Sequence, residues 1–342
     1  MSKLLIVSDA WHPQINGVVR SLDMTAEELR KMGLEVDFLT PQSFRTVPCP
    51  TYPEIPLSIT TPGRVRRMIA DSHADYIHLA TEGPLGQMGK RAAHKLGLAY
   101  TTSYHTRFPE YVSARFPIPE RWMYAWMRRF HNGGIACMVA THSLEDDLRA
   151  RGFNNLCRWS RGVDHMVFKP SDARLFDHLP GPIFLHIGRI AVEKNIEAFL
   201  KLDLPGSKVV VGDGPQLASL KAAYPNVLFT GAKQGDELAR HYASGDVFVF
   251  PSLTDTFGNV LLEAIACGVP VAAYPVTGPQ DVIGDTGAGV IDEDLGKAAL
   301  SALDISRTHC RDVALGFSWE ASARQFLKNV SVGKRPAAVN NA

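Results

Sequence analysis

Residues 247–274 read VFVFPSLTDTFGNVLLEAIACGVPVAAY, and this stretch decides the fold. The apolar run Val247–Phe250 predicts a buried strand, residues 261–266 predict an apolar helix, and residues 270–274 predict a second strand. A strand, a crossover helix and another strand in one short stretch are typical of a parallel sheet. A glycine-containing loop precedes the helix, and the backbone amides of residues 256–260 can hold an anion there. The stretch therefore predicts an α/β fold with an anion site at a strand end.

The alternation of strands and helices continues outward from this stretch and forms two series. A polar, proline-bearing segment at residues 164–180 separates them. Two series predict two doubly wound, Rossmann-like domains that face each other across a cleft, with ligands outside the carboxyl ends of the strands. The predicted strands are residues 3–8, 36–40, 75–79, 99–103, 137–141, 183–187, 208–211 and 227–230, besides those above. The predicted helices are residues 18–32, 86–96, 121–130, 143–151 and 319–330.

The predicted domain boundaries follow from this pattern. The first domain takes residues 1–168 and the second takes residues 169–316. Residues 317–330 hold a C-terminal helix that crosses back toward the first domain. Residues 331–342 are small, polar and basic, which predicts a flexible tail.

The composition excludes several classes of protein. The chain has 342 residues, 45% of them hydrophobic and 21% charged, which suits two globular domains. A formal net charge of +1 gives no reason to expect nucleic acid as a partner. Five scattered cysteines without a Cys-x-x-Cys pair argue against disulfides and structural zinc, and favour a reducing cytoplasm. No segment approaches the ~20 apolar residues of a membrane span, so we expect any membrane contact to be at the surface.

Two carboxylates flank the predicted anion loop. Asp255 precedes it, and Glu263 lies within a run of Val, Leu, Ala and Ile. A carboxylate on an apolar helix face needs a partner, and a ribose diol would supply two hydroxyl donors. The alternatives for Glu263 are a salt bridge to a buried arginine and a position on the exposed face of the helix.

Two further loops follow predicted strands in the second half. Gly188 and Arg189 come after one strand, and Lys194 follows them, so two cations can converge on a diphosphate. Gly212 and Gly214 come after the next strand, where glycines let backbone approach a ligand. The alternatives are two solvated cations in the first loop and an ordinary tight turn in the second.

The first half offers polar residues in its own strand-end loops. His105 follows a strand, where it could donate to a sugar hydroxyl or stabilise charge in a transition state; a hydrogen-bonded histidine at a domain interface is the alternative. His12, Asn16 and Gly17 occupy the first such loop, where Gly17 would let the chain approach a phosphate or an acceptor. The alternative is a plain helix start that Asn16 caps.

Residues 107–131 combine basic and aromatic side chains. Such a surface can bind a membrane, because aromatic rings enter the headgroup layer and arginines meet anionic lipid. The alternative is a helix that buries its tryptophans in its own domain. The residues concerned are Arg107, Tyr111, Trp122, Trp126, Arg128 and Arg129.

Together these residues resemble the retaining GT-B glycosyltransferases of family 4 (group 1), which use nucleotide-diphosphate sugars. The resemblance covers nearly the whole chain. Its most specific parts are Gly188-Arg189 with Lys194, the Gly212-Asp-Gly-Pro turn, and Asp255 with Glu263. The family usually has Glu at the first acid, so Asp255 departs from the pattern and leaves the donor sugar open.

The resemblance implies roles for the matching residues. Arg189 and Lys194 would bind the donor diphosphate, and Glu263 would hold the ribose hydroxyls. Asp255 would hold the donor sugar, and His105 would contact that sugar near its reacting carbon. The remaining donor-binding positions that the family implies are Gly17, Gly188, Gly212, Gly214, Lys233, Gln234, Thr256, Phe257, Gly258, Asn259 and Val260.

The first half resembles the lipid-glycosylating branch of the family, which includes diacylglycerol glycosyltransferases, sulfolipid synthases and phosphoinositide mannosyltransferases. We therefore expect a cytoplasmic, peripheral membrane enzyme that transfers a sugar from a UDP- or GDP-sugar to a lipid such as diacylglycerol or a glycolipid. The expected mechanism retains the anomeric configuration and uses neither a metal ion nor a cofactor beyond the nucleotide sugar. The alternatives are a soluble sugar or polysaccharide acceptor, and a non-catalytic protein that binds nucleotide sugars. The nucleotide base and the oligomeric state stay open.

Overall fold

The computed structural model describes residues 2–14, 16–49, 52–113, 116–172 and 174–333. The chain divides into two compact units. The first runs to Ser160 and takes in the segment from Trp319 onward, and the second is Arg161–Ser318. The division thus falls between Ser160 and Arg161, whereas the sequence placed it at residue 168. The predicted tail lies outside the described residues from position 334 on.

The first unit is built around a parallel sheet. Its strands are β1 (Lys3–Val7), β2 (Glu35–Leu39), β3 (Arg45–Cys49), β4 (Tyr52–Ile59), β5 (Tyr76–Leu79), β6 (Thr101–Ser103), β7 (Ala136–Val139) and β8 (Leu156–Arg158). Six strands described here pair in the order β2-β1-β5-β6-β7-β8, all parallel, while β3 and β4 form an antiparallel hairpin. The helices are α1 (Gly17–Lys31), α2 (Pro62–Asp71), α3 (Pro84–Leu96), α4 (Phe108–Ser113), α5 (Glu120–His131) and α6 (His142–Ala150).

The sheet of the first unit is covered on both faces, as its apolar strands require. One cluster of buried residues joins Leu4 and Ile6 to α1, and another joins Leu5 and Val7 to α2 and α3. Asn16 begins α1 by accepting hydrogen bonds from the amides of Val18 and Val19, both at 3.0 Å.

The second unit repeats this architecture. Its strands are β9 (Ile183–Ile187), β10 (Ser207–Val211), β11 (Leu228–Phe229), β12 (Val247–Phe250), β13 (Val271–Ala273) and β14 (Gly289–Ile291). They pair in parallel in the order β11-β10-β9-β12-β13-β14. Its helices are α7 (Ile196–Leu200), α8 (Leu217–Ala223), α9 (Gly235–Ala243), α10 (Asn259–Ala266), α11 (Thr277–Ile283), α12 (Leu295–Ala302) and α13 (Arg307–Ala314).

The last helix, α14 (Trp319–Ser331), belongs to the first unit. Its residues Ala323, Phe326 and Val330 enter the same buried cluster as Leu4 and Ile6. The Trp159 indole also donates a hydrogen bond to the Ser322 hydroxyl at 3.1 Å. The helix thus completes the core of the first unit.

The α/β class with two parallel, doubly wound sheets is confirmed. The sequence did not predict the hairpin β3–β4, the short strands β8 and β14, or helices α2, α4, α8, α9 and α11–α13. The hairpin strands contain prolines, which usually mark a break in a strand, and three-residue strands are too short to show a period. In each sheet the strand order reverses next to the first strand, β1 or β9, and ligands of such sheets bind there at the carboxyl edge.

Candidate functional site

In the second unit, two glycine loops meet at the carboxyl edge of the sheet. A Cβ atom added to Gly212 would lie 1.9 Å from the carbonyl oxygen of Gly188, and one added to Gly214 would lie 2.4 Å from that of Ile190. The Ile190 amide also donates to the Asp213 carbonyl at 2.8 Å. Gly212 and Gly214 therefore allow the loops after β9 and β10 to pack closely, because any side chain at either position would push the two loops apart.

Lys194 and Asp255 form an ion pair at this edge. The Lys194 ammonium lies 2.6 Å from Oδ1 and 2.9 Å from Oδ2 of Asp255. Burial opposes ionisation of Asp255, but the attraction of Lys194 outweighs it and lowers the pKa of the carboxyl below its ordinary value. The carboxylate is therefore anionic at neutral pH and lies beside a cation that is 24% exposed.

Arg189 presents a second cation in the same loop region. Its side chain is 36% exposed, and its Nη1 atom lies 4.0 Å from the Glu193 carboxylate, too far for a hydrogen bond. The two cations thus keep partly exposed donors near the carboxyl end of β9, as the diphosphate prediction requires.

Glu263 is buried in α10 and bonds to a tyrosine. The Tyr242 hydroxyl donates a hydrogen bond to Glu263 Oε2 at 3.0 Å. The burial excludes the alternative that Glu263 lies on the exposed face of the helix. The sequence missed Tyr242, which lies on α9 and shows no pattern that sets it apart.

The loop before α10 turns at Gly258, whose φ of 85° lies in the left-handed region. Asn259 then begins the helix, so the amides of its first turn lie close in sequence to Asp255. Thr256 and Phe257 are buried beneath this turn. The arrangement can hold an anion on main-chain amides.

His186 is a further residue that the sequence did not indicate. Its Nδ1 atom lies 3.1 Å from the Val249 carbonyl, and burial, with the nearby Lys194 charge, lowers its pKa to about 4. The ring is therefore neutral at pH 7. Within the described residues its Nε2 atom is buried without a hydrogen-bond partner.

The residues predicted to meet the nucleotide base lie at the start of α9. Lys233 forms a 2.7 Å ion pair with Glu237 of that helix, and Gln234 is the residue before its first turn. The Lys233 ammonium is thus paired in the structure, and its contact with a base stays a prediction.

The first strand-end loop of the first unit shows local pairing. His12 contacts Asp23 at 2.6 Å, and Asn16 caps α1, whose first residue is Gly17. His105 lies two residues beyond β6, and its ring centroid is 5.7 Å from that of Trp159. Capping accounts for Asn16, as in the alternative offered from the sequence.

Helix α5 exposes its two tryptophans. Trp122 is 62% and Trp126 40% exposed, and Arg129 and Arg121 are exposed beside them. The alternative in which the helix buries these tryptophans is therefore wrong. Tyr124, Met127 and Phe130 form the buried face instead.

The other basic residues of this stretch are partly engaged. Arg107 bonds through Nη1 to Glu110 at 3.1 Å and to Asp147 at 3.0 Å, with little exposure. Arg128 donates to the Arg151 carbonyl at 2.8 Å. Arg107 is thus held within its own unit, while the side chain of Tyr111 lies outside the described residues.

A buried ion pair in the first unit escaped the sequence analysis. His131 Nε2 lies 2.9 Å from Glu82 Oε1, and His131 Nδ1 lies 2.9 Å from Thr102 Oγ1. These residues come from α5, from the loop after β5 and from β6. The position of Glu82 just after an apolar strand was the one available signal.

The described residues contain neither a metal-binding cluster nor a membrane-spanning helix. No group of three His, Cys, Asp or Glu side chains there is placed to hold a metal ion. None of the helices in those ranges has the length and hydrophobicity to cross a membrane.

Family models match both halves of the chain. The model described as Glycosyltransferase Family 4 matches residues 15–166, and the model described as Glycosyl transferases group 1 matches residues 181–305. Together the two matches cover most of the chain.

Three curated proteins show how far the similarity extends. A GDP-mannose-dependent alpha-mannosyltransferase of Mycobacterium tuberculosis is 34% identical over 82% of this chain and 81% of its own length. A sulfoquinovosyl transferase of Arabidopsis thaliana is 35% identical over 75% of this chain and 56% of its own. An alpha-monoglucosyldiacylglycerol synthase of Streptococcus pneumoniae is 25% identical over 98% of this chain and 86% of its own.

The fold also matches solved structures. Sucrose-phosphate synthase from Thermosynechococcus elongatus superposes with a TM-score of 0.76 at 21% identity, covering 96% of this chain and 98% of that one. At this identity the likeness establishes the fold alone.

Proposed function

The chain belongs to the group 1, family 4 glycosyltransferases and has the GT-B fold, and from that premise we propose that it transfers a sugar from a UDP- or GDP-sugar to a membrane lipid, with retention of the anomeric configuration and without a metal ion. The observation that carries the donor part is the ion pair of Lys194 with Asp255 at the carboxyl edge of β9 and β12. The acceptor part rests on the exposed face of α5.

The chemistry of the donor follows from these charges. Departure of a nucleoside diphosphate builds negative charge on its phosphate oxygens and positive charge on the sugar. Arg189, Lys194 and the amides at the start of α10 would stabilise the leaving diphosphate without reorganising, which is the large term in such reactions. Asp255, kept anionic by Lys194, would accept hydrogen bonds from sugar hydroxyls.

The ribose would bind to Glu263. The Tyr242 hydroxyl donates to Oε2 of this carboxylate, and a carboxylate offers about four acceptor positions in all. Tyr242 thus orients the carboxylate toward a diol, while burial around it makes each hydrogen bond stronger than in water.

The acceptor would reach the enzyme from a membrane surface. Trp122 and Trp126 can enter the headgroup layer, and Arg121, Arg128 and Arg129 on the same helix can meet anionic lipid. One of the relatives is an alpha-monoglucosyldiacylglycerol synthase, named for a glycolipid, and this similarity supports a lipid acceptor here.

A thermal-shift panel of UDP- and GDP-sugars tests the donor. At least one should raise the melting temperature and, with membrane lipid extract and EDTA present, give a glycosylated lipid of unchanged anomeric configuration. If no nucleotide sugar stabilises the protein or is consumed, the proposal is wrong. Stabilisation without any hydrolysis or transfer would favour the non-catalytic alternative.

Flotation with anionic vesicles at low salt tests the membrane surface. The double variant Trp122→Ala/Trp126→Ala should bind vesicles about tenfold or more weakly, because two large exposed rings are lost. The matched control is Met166→Ala/Leu315→Ala, which removes two exposed apolar side chains from the second unit. Equal binding of both double variants would contradict the α5 surface, and no binding by the wild type would favour the soluble acceptor.

A further inference from the structure

Three residues of the first unit form a chain of hydrogen bonds that ends at the sheet edge. Thr102 Oγ1 lies 2.9 Å from His131 Nδ1, and His131 Nε2 lies 2.9 Å from Glu82 Oε1. Thr102 and His131 are fully buried, whereas the Glu82 side chain is 18% exposed. The chain therefore runs from the core to a carboxylate that solvent reaches.

The surroundings of His131 favour its protonated form. Burial alone would lower its pKa, but interactions with Cys137 and Glu82 outweigh burial and raise the pKa of His131 to about 10. The Glu82 side chain and the Thr102 hydroxyl can both accept hydrogen bonds, which is compatible with a doubly protonated imidazole. A buried cation is stabilised by an acid beside it, and the Glu82 side chain lies in that position.

The neighbouring acid, Asp9, provides a contrast. Its Oδ1 atom accepts from the Leu85 amide at 2.8 Å, and its Oδ2 atom accepts from the Gly86 amide and the Thr81 hydroxyl. Capping of α3 thus accounts for both oxygens of Asp9. Within the described residues, His131 is the one side chain that hydrogen-bonds the Glu82 carboxylate, through Oε1. Its second oxygen is available to a ligand.

Glu82 lies where a parallel sheet binds ligands. It follows β5, the strand beside β1 at which the strand order reverses, and β5 pairs with β6 so that Leu79 lies opposite Thr102. His105 leaves the sheet from β6 just beyond the same level. The loops that carry Glu82 and His105 thus follow neighbouring strands.

We propose that the Glu82 carboxylate, oriented by His131, accepts a hydrogen bond from a hydroxyl of the acceptor lipid and so positions it for attack. This role rests on the proposed glycosyltransferase function. Glu82 binds the acceptor and takes no part in breaking the donor bond, and His131 is a positioning residue that acts through Glu82. An acceptor with a free hydroxyl, such as the glycerol of diacylglycerol or a sugar headgroup, fits this site.

The test compares acceptor and donor kinetics in Glu82→Gln. With dioctanoylglycerol and its monoglycosylated form in mixed micelles as acceptors, we expect the acceptor KM to rise about 10- to 100-fold, the loss of one hydrogen bond to a charged group. The donor KM and the slow transfer of sugar to water should stay within twofold of wild type, because neither involves the acceptor. Glu27→Gln, a surface carboxylate of α1 paired with Lys31, is the matched control.

The outcomes separate this inference from the function on which it rests. If the wild type neither binds nor consumes any nucleotide sugar, the function is wrong. If it transfers sugar and Glu82→Gln leaves the acceptor KM unchanged, the role of Glu82 is wrong. A purely structural ion pair would instead lower the melting temperature and impair donor hydrolysis and transfer together.

A second measurement uses only the wild type and therefore tests the inference even if Glu82→Gln fails to fold. In the wild type, dioctanoylglycerol added in the presence of nucleoside diphosphate should shift the imidazole resonances of His131, because a hydroxyl on Glu82 changes the neighbouring bond. The nucleoside diphosphate alone should not shift them. Resonances that do not respond to the acceptor would overturn the inference.

Discussion

The carboxyl edges of the two sheets arrange their charges in opposite ways. In the second unit the cations Lys194 and Arg189 are 24% and 36% exposed, while the Glu263 carboxylate is buried and that of Asp255 is 17% exposed. In the first unit the cation His131 is buried, and the carboxylate of Glu82 reaches the surface. An edge that presents cations suits an anionic diphosphate, and an edge that presents a carboxylate suits a neutral hydroxyl. The two edges thus match the two substrates of one transfer reaction.

Removal of the Lys194 cation should have the largest effect on catalysis. Lys194→Ala deletes a donor to the leaving diphosphate and leaves the Asp255 carboxylate without its counter-ion, so we expect kcat/KM for the nucleotide sugar to fall about 100- to 1000-fold. Steady-state assays of donor consumption measure this. Lys201→Ala, which removes an exposed lysine from the same unit, should leave kcat/KM unchanged. A loss below tenfold for Lys194→Ala would break the assignment of this edge to the diphosphate.

The deeper anion of the second unit should affect binding more than turnover. Glu263→Gln should raise the donor KM about 10- to 100-fold with little change in kcat, because a ribose diol loses a charged acceptor in both ground and transition states. Tyr242→Phe should raise the donor KM less, since it removes only the group that orients Glu263.

A substrate analogue sharpens this prediction. The wild type should bind the 2′-deoxy nucleoside diphosphate more weakly than the ribonucleoside diphosphate. Glu263→Gln should bind the two ligands with about equal affinity. Isothermal titration of both ligands against both proteins forms a double-mutant cycle. Additive losses in that cycle would show that Glu263 does not contact the ribose.

The two edges also differ in what their sequences reveal. Asp255 and Glu263 lie in one short stretch beside a glycine loop, so their shared site could be predicted, and β9 and β12 have the predicted bounds. Glu82 and His131 are 49 residues apart and meet only after α5 packs on the sheet. No local pattern marks such a pair, because its partners are chosen by tertiary packing.

The sequence left the orientation of α5 open between two readings for a related reason. Trp122 and Trp126 are four residues apart and share a helix face, yet so do Met127 and Phe130 on the buried side. Periodicity shows that a helix has two faces, but the first unit's core decides which one it buries. The same limit applies to Lys194 and Asp255, whose contact joins loops 61 residues apart.

The buried cation of the first unit should show in the pH dependence of stability. The pKa of His131 is raised to about 10 in the folded state, whereas an unfolded histidine titrates near ~6.5. Its contribution is therefore complete below about pH 6.5 and is lost as the pH rises through about 10. His131→Gln should lower the melting temperature at pH 6 by about 5–10 °C. Its melting temperature should also fall less than that of the wild type between pH 6.5 and 10, because the contribution of His131 is already absent.

The control for this prediction is an exposed histidine of the same unit. The melting temperature of His94→Gln, a variant of α3, should fall between pH 6.5 and 10 as much as that of the wild type, because His131 is intact in both. Other groups that titrate in this range are shared by the wild type and both variants. Hydrogen exchange of the β5 and α5 amides, followed against pH, locates the loss in the first unit. If wild type and His131→Gln lose stability in parallel over this range, His131 is neutral when folded. The contrast between the two edges would then fail, because only the edge of the second unit would carry a cation.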